Sequence, residues 1–143
     1  MRTAIDILLV EDDPGDVFLI REALKNSSLE FQLHIADNGE KALDYLYHRA
    51  SFEAATRPDL IVLDLNLPRI NGLEVLRDIK SVPELRTIPV IVLTTSKNEA
   101  DAALCRELGA SNFLSKPPSF EEFLDVGKLI ENFWITRPRL NGD

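Results

Sequence analysis

Six residues in this chain have side chains or main-chain groups whose chemistry is worth pairing: Glu11, Asp12, Asp64, Asn66, Thr94 and Lys116. The run Leu60–Leu63 is continuously apolar and ends on a carboxylate, Asp64. The run "LLV" at 8–10 ends the same way, on Glu11 and Asp12. The apolar "VIVL" at 90–93 is followed by the hydroxyl of Thr94, and "FLS" at 113–115 by the ammonium of Lys116. Three acids brought together would repel. Two unit charges ~5 Å apart at an effective dielectric of ~20 cost about 3 kcal/mol, so such a cluster takes up a proton or a cation. Oxygen donors without a His or Cys cluster suit Mg2+, which keeps several waters and accepts few carboxylates. The main-chain carbonyl of Asn66 is a further candidate oxygen. Lys116 and Thr94 beside such a cation would clamp a tetrahedral dianion, the metal and lysine by charge and the hydroxyl by a hydrogen bond.

These residues meet only if the strands that carry them are neighbours. Strand patterns fall at Ile5–Val10, Phe31–Ala36, Leu60–Asp64, Val90–Thr94 and Ser111–Ser115. Helical patterns fall at Pro14–Asn26, Gly39–His48, Gly72–Lys80, Lys97–Leu108 and Phe120–Trp134. Five strand–helix units predict a parallel sheet with helices on both faces. The continuously apolar third and fourth strands read as central. The alternating second ("FQLHIA") and the short, half-polar fifth read as edges. This predicts a flavodoxin-like, doubly wound α/β fold with five helices and strand order 2-1-3-4-5. Ligands bind such sheets beyond the C-terminal strand ends at the switch point, here between strands one and three, where Glu11, Asp12 and Asp64 would converge.

Local signals mark the helix starts. Asp13-Pro14 places an acid before a first-turn proline, so Asp13 reads as a cap rather than a metal ligand, with Asp16 in the first turn. Asn71…Glu74, Ser96…Glu99 and Ser119…Glu122 have cap-to-third-residue spacing. The last helix carries Phe120, Phe123, Leu124, Gly127, Ile130 and Trp134 on one core-facing stripe. Residues 49–58 read as a loop, and the chain from Thr136 as a polar tail. Lys116–Pro117 is a candidate cis bond that would fix the direction of the lysine.

Bulk properties narrow the function classes. The 143 residues suffice for one domain, expected at 1–135, followed by a tail at 136–143. A formal charge of −8 argues against nucleic acid or anionic membrane as a direct partner, since both need a basic face. No apolar run approaches ~20 residues and the N-terminus has no signal-peptide pattern. The lone Cys105 excludes an internal disulfide, fits a reducing cytoplasm and reads as a small helix residue.

The runs "LLVEDDP", "DLNLP…NG", "VIVLTT" and "FLSKPP" together resemble the motifs of response-regulator receiver domains of two-component signalling. The resemblance spans about residues 5–134. It implies that Asp64 accepts a phosphoryl group from a sensor histidine kinase. It implies that Asp12 binds Mg2+ directly and Glu11 through water, with the Asn66 carbonyl beside them. Thr94 and Lys116 would bind the phosphoryl group, and Phe113 would be the aromatic switch that answers the movement of Thr94. Two departures stand out: the acidic pair is Glu-Asp, and the switch aromatic is Phe, which has no hydroxyl. With no output module after Trp134, the resemblance implies a single-domain regulator that signals by protein contact or phosphorelay to a downstream target or phosphotransfer protein. The ending "IENFWITRP" is similar to stand-alone receivers paired with cyanobacterial phytochromes, which implies a phytochrome-type photoreceptor kinase as donor. Phe133, Trp134 and Ile135 would form a homodimer patch, core packing being an equal expectation. Two other classes stand against this reading. One is a receiver-like adaptor that binds partners without phosphorylation. The other is a Mg2+-dependent phosphatase with an aspartyl nucleophile, which would need an acid where this chain has Asn66.

Overall fold

The computed structural model describes residues 4–137. Five strands, β1 (Ile5–Val10), β2 (Phe31–Ala36), β3 (Leu60–Leu63), β4 (Val90–Thr94) and β5 (Asn112–Ser115), form one parallel sheet. Its order is β2-β1-β3-β4-β5, as the strand compositions predict. Five helices connect and follow them: α1 (Pro14–Lys25), α2 (Gly39–Leu46), α3 (Gly72–Ser81), α4 (Glu99–Glu107) and α5 (Phe120–Thr136). A short 3-10 turn at Ala50–Phe52 interrupts the segment read as a loop.

The two-residue period of the strands builds two cores. Leu8, Val10, Ile61, Leu63, Val90 and Val92 face α2 and α3. Ile5, Ile7, Leu9, Leu60, Val62, Ile91 and Leu93 face the other way, with α1 and α5 residues such as Ile20, Leu24, Phe123 and Ile130. Each of these buried aliphatic side chains contributes roughly 1.5–3 kcal/mol, so β3 and β4, apolar on both faces, anchor the sheet. The α1–α5 contact is close enough to require glycine: a Cβ on Gly127 would stand 2.3 Å from the Ala23 carbonyl oxygen. Cys105 is buried in the α2–α3 core, as its small, apolar reading expects.

Several local expectations are corrected. α4 begins later than the pattern suggests, because Asn98 rather than Ser96 is its cap, accepting from the Ala100 N–H at 2.8 Å. Ser96 instead donates to Asp101 at 2.8 Å. Asp13, Asn71 and Ser119 cap α1, α3 and α5 as read. On α5, Phe123, Gly127 and Ile130 are buried but Phe120 is 45% exposed. Phe133 and Trp134 pack on the core, while Ile135 is exposed. The described residues contain no cis peptide bond, so Lys116–Pro117 is trans. α5 runs to Thr136, and the tail residues 138–143 lie outside the described residues.

Candidate functional site

Strand register assembles the site. The Asp64 N–H donates to the Val10 carbonyl at 3.0 Å, and the Glu11 N–H to that of Ala36 at 3.0 Å. The residues just beyond β1 and β3 are therefore level. Beyond the next strand pair, the Lys116 N–H donates to the Thr94 carbonyl at 2.7 Å. Gly72 lets the loop after β3 fold tightly back: a Cβ there would stand 2.3 Å from the Asp64 carbonyl oxygen. The phosphoryl-site residues expected from sequence are thus gathered at one end of the sheet.

Glu11, Asp12 and Asp64 each present a carboxylate oxygen to a common point, all within 4.8 Å of one another. Glu11 and Asp64 are buried and Asp12 is exposed. Asp13 stands apart from this group: its carboxylate accepts from the Gly15 N–H at 2.9 Å, the capping role expected of it. The donor set fits a hard divalent cation, since it is all oxygen, anionic and open on the Asp12 side.

Lys116 reaches into the acids. Its Nζ lies 2.6 Å from Glu11, 2.8 Å from Asp16 and 3.0 Å from Asp64. Burial works against its charge, but hydrogen bonds to Asp16, Glu11 and Asp64 outweigh that effect and raise its pKa. Burial pushes the Glu11 carboxyl up to about 7, against the hydrogen bond from Lys116, and the charge on Asp64 adds to the rise. The two directions are compatible. One ammonium serves three carboxylates, so the lysine stays charged and the most buried acid is the one that takes up a proton.

The remaining residues frame this centre. The Asn66 N–H donates to Asp64 Oδ1 at 3.1 Å, holding the carboxylate oxygen that Lys116 does not contact. The Asn66 amide donates to Thr95 at 3.1 Å and to Thr94 at 3.4 Å, joining the loop after β3 to the end of β4. Thr94 is fully buried. Phe113, on β5, is partly buried against the α2–α3 core. Asp16 is the residue that motif reading passed over. Its first-turn position was visible in the sequence, but its partner lies a hundred residues away in the chain.

Known proteins share this sequence pattern and fold. The Response regulator receiver domain profile matches residues 7–127. The chain is 43% identical over 129 residues to response regulator Rcp1 of Synechocystis sp., covering 90% of this chain and 88% of that protein. It superposes on the phosphorylated cyanobacterial phytochrome response regulator RcpA with a TM-score of 0.89 and 40% identity, covering 97% of this chain and 99% of the other. On the Mn(2+)-bound form of Rcp1 the TM-score is 0.88 at 40% identity, with 96% and 99% covered. On its fold, its strand-end acids and these matches, the chain belongs to the response regulator receiver domain family.

Proposed function

We propose that the chain is a phosphoacceptor switch in which Asp64 receives a phosphoryl group from the phosphohistidine of a sensor kinase. The observation that carries this is the pairing of a buried Asp64 carboxylate with the Lys116 ammonium at 3.0 Å, at the open end of the sheet. An Asp64 carboxylate oxygen forms a bond to phosphorus as the P–N bond of the donor breaks, leaving an acyl phosphate of ~−2 charge. The Asn66 N–H on Oδ1 keeps the carboxylate from turning. Lys116 moves a hydrogen bond from Asp64 to an incoming phosphoryl oxygen, and Thr94 supplies a hydroxyl to another.

Glu11, Asp12 and Asp64 would hold Mg2+, with the Asn66 carbonyl as a further ligand. When bound, that ion supplies charge neutralisation and in-line alignment of the transferred group. Movement of Thr94 would free space for half-buried Phe113 to turn inward and reshape the surface of α4, β5 and α5, a two-state equilibrium biased by one local charge. The similarity to phytochrome response regulators favours a phytochrome-type photoreceptor kinase as donor. The output is a protein target or a phosphotransfer protein, with exposed Ile135 beside Phe133 and Trp134 as the candidate homodimer patch. We assign the switch to residues 1–135, the polar tail to 136–143 and the protein to the cytoplasm. Among the described residues no helix is long and apolar enough to cross a membrane.

The chain is a signalling phosphoprotein rather than a turnover enzyme. The amide of Asn66 stands where a phosphatase would need a general acid, and it is spent on Thr95 and Thr94. Incubation with acetyl phosphate and Mg2+ tests the assignment by intact mass. The expected result is a gain of one phosphoryl group that needs the divalent ion and disappears in Asp64→Asn. No gain in the wild type points to the adaptor class, and multiple turnover of small phosphoesters to the phosphatase class.

A further inference from the structure

Lys116 is held by an acid that belongs to none of the motifs. An ammonium has three N–H donors, and each finds a carboxylate on a different element: Glu11 after β1, Asp64 after β3 and Asp16 in α1. The three acids differ in depth. The Glu11 and Asp64 side chains are 1% and 4% exposed, whereas that of Asp16 is 22% exposed. Asp16 therefore forms the outer wall of the lysine's cage. It is also firmly placed. Asp13 and Pro14 fix the start of α1, and the backbone contact at Gly127 ties α1 to α5. A first-turn acid also favours a helix by its charge alone. That bland role does not require its carboxylate to lie 2.8 Å from a lysine that is 6% exposed.

We propose that Asp16 is a positioning residue for phosphoryl acceptance, drawing the Lys116 ammonium outward from Asp64. The proposal rests on the reading of Asp64 as phosphoacceptor. With only Glu11 and Asp64 as partners, the ammonium would settle on the floor of the site. It would hold the electron density that the nucleophile must give, and stay away from the side where phosphoryl oxygens arrive. With Asp16 as third partner, the charge is shared between floor and mouth before the donor binds. In the transfer from acetyl phosphate, an Asp64 oxygen bonds to phosphorus. The bond from phosphorus to the acetyl oxygen breaks, and acetate leaves with the electron pair; no proton moves. Lys116 redirects the donor given to Asp64 onto the phosphoryl group and keeps its bonds to Glu11 and Asp16.

Asp16→Asn removes the charge and keeps the shape; Asp16→Glu keeps the charge. At saturating Mg2+, the rate of phosphoryl gain from acetyl phosphate should fall about tenfold in Asp16→Asn, as small misplacements of a catalytic group do. Asp16→Glu should recover most of that loss. In metal-free protein, the Lys116 ammonium NMR signal, assigned by its disappearance in Lys116→Met, should shift in Asp16→Asn and return in Asp16→Glu. Equal rates for wild type and Asp16→Asn overturn the proposal, as do equal losses in Asp16→Asn and Asp16→Glu. A wild type that gains no phosphoryl group overturns the Asp64 reading instead. The metal-free ammonium signal then decides whether Asp16 positions Lys116, and an unshifted signal overturns that too.

Discussion

The sheet has a polar cluster at each end, and the two are built on opposite terms. At the C-terminal end, Glu11, Asp16 and Asp64 share the one ammonium of Lys116, and Asp12 adds a further acid to the group. At the other end, Asp6 pairs with His34 at 2.9 Å, and the carboxylate of Asp59 accepts the Asp6 N–H at 2.8 Å. The Asp59 N–H returns a bond to the Asp6 carbonyl at 2.7 Å. Those bonds latch β1 to β2 and to the start of β3, and the ring of Tyr45 packs at a tilt against His34 on one side and Phe52 on the other. Apart from the exposed Asp12, both clusters are half-buried or deeper, so burial does not distinguish them. The kind of partner does. In the latch the acids are matched by an imidazole nitrogen and a main-chain N–H, while at the other end Glu11, Asp12, Asp16 and Asp64 gather around one ammonium, which is the condition for taking up a divalent cation.

Removing the cation that the acids share breaks this comparison most severely. In chelator at pH 8, Lys116→Met leaves the buried Glu11 and Asp64 carboxylates without a cation and should cost about 4 kcal/mol in urea unfolding. Mg2+ should restore part of that loss. A variant as stable as wild type would mean that the acids do not depend on the lysine. The next effect is a slope with pH. Glu11 has an ordinary value of 4.5 and a folded value of about 7. Between those values the folded state holds more protons than the unfolded one, so stability falls as pH rises through that window and the loss is complete above it. The expected size is roughly 3 kcal/mol, from 1.36 kcal/mol per unit. Metal-free Glu11→Gln should lack this slope, so the stability of wild type relative to the variant should decline from pH 4.5 to 7. Parallel curves would show that Glu11 is not the acid that holds the extra proton.

Most of the fold was legible because burial imposes a pattern on the strands. Continuous apolar runs placed β3 and β4 centrally, and alternation placed β2 at an edge, which in turn gave the acids their common address. Competition between similar residues was not legible. Ser96 and Asn98 can each cap a helix, and the choice of Asn98 is settled by a bond from Ser96 to Asp101. Periodicity showed which face of α5 turns inward, but not how far along the helix its neighbours extend, and Phe120 is left exposed. Within the site, sequence pointed to a cation among the acids and to Lys116 beside it; it did not show that the ammonium reaches three carboxylates at once, or that Asp16 is one of them. Long-range ion pairs leave no periodic trace in a chain.

The smallest test sharpens the contrast from the latch end. The Tyr45 hydroxyl is buried without a hydrogen-bond partner among the described residues, and burial, with the Asp6 charge, raises its pKa. It is the one unmatched polar group in a cluster whose other members are paired. A buried hydroxyl without a partner contributes its desolvation cost and no bond, so deleting it should be neutral or favourable. Tyr45→Phe keeps the ring contacts with His34 and Phe52 and should raise stability by up to about 1 kcal/mol in urea unfolding. Because Tyr45 lies at the far end of the sheet from Asp64, phosphoryl uptake from acetyl phosphate should not change. A loss of more than about 1 kcal/mol would mean that the hydroxyl is bonded in solution. The latch would then extend from Asp6 and His34 through Tyr45 into α2, making it larger than a single pair.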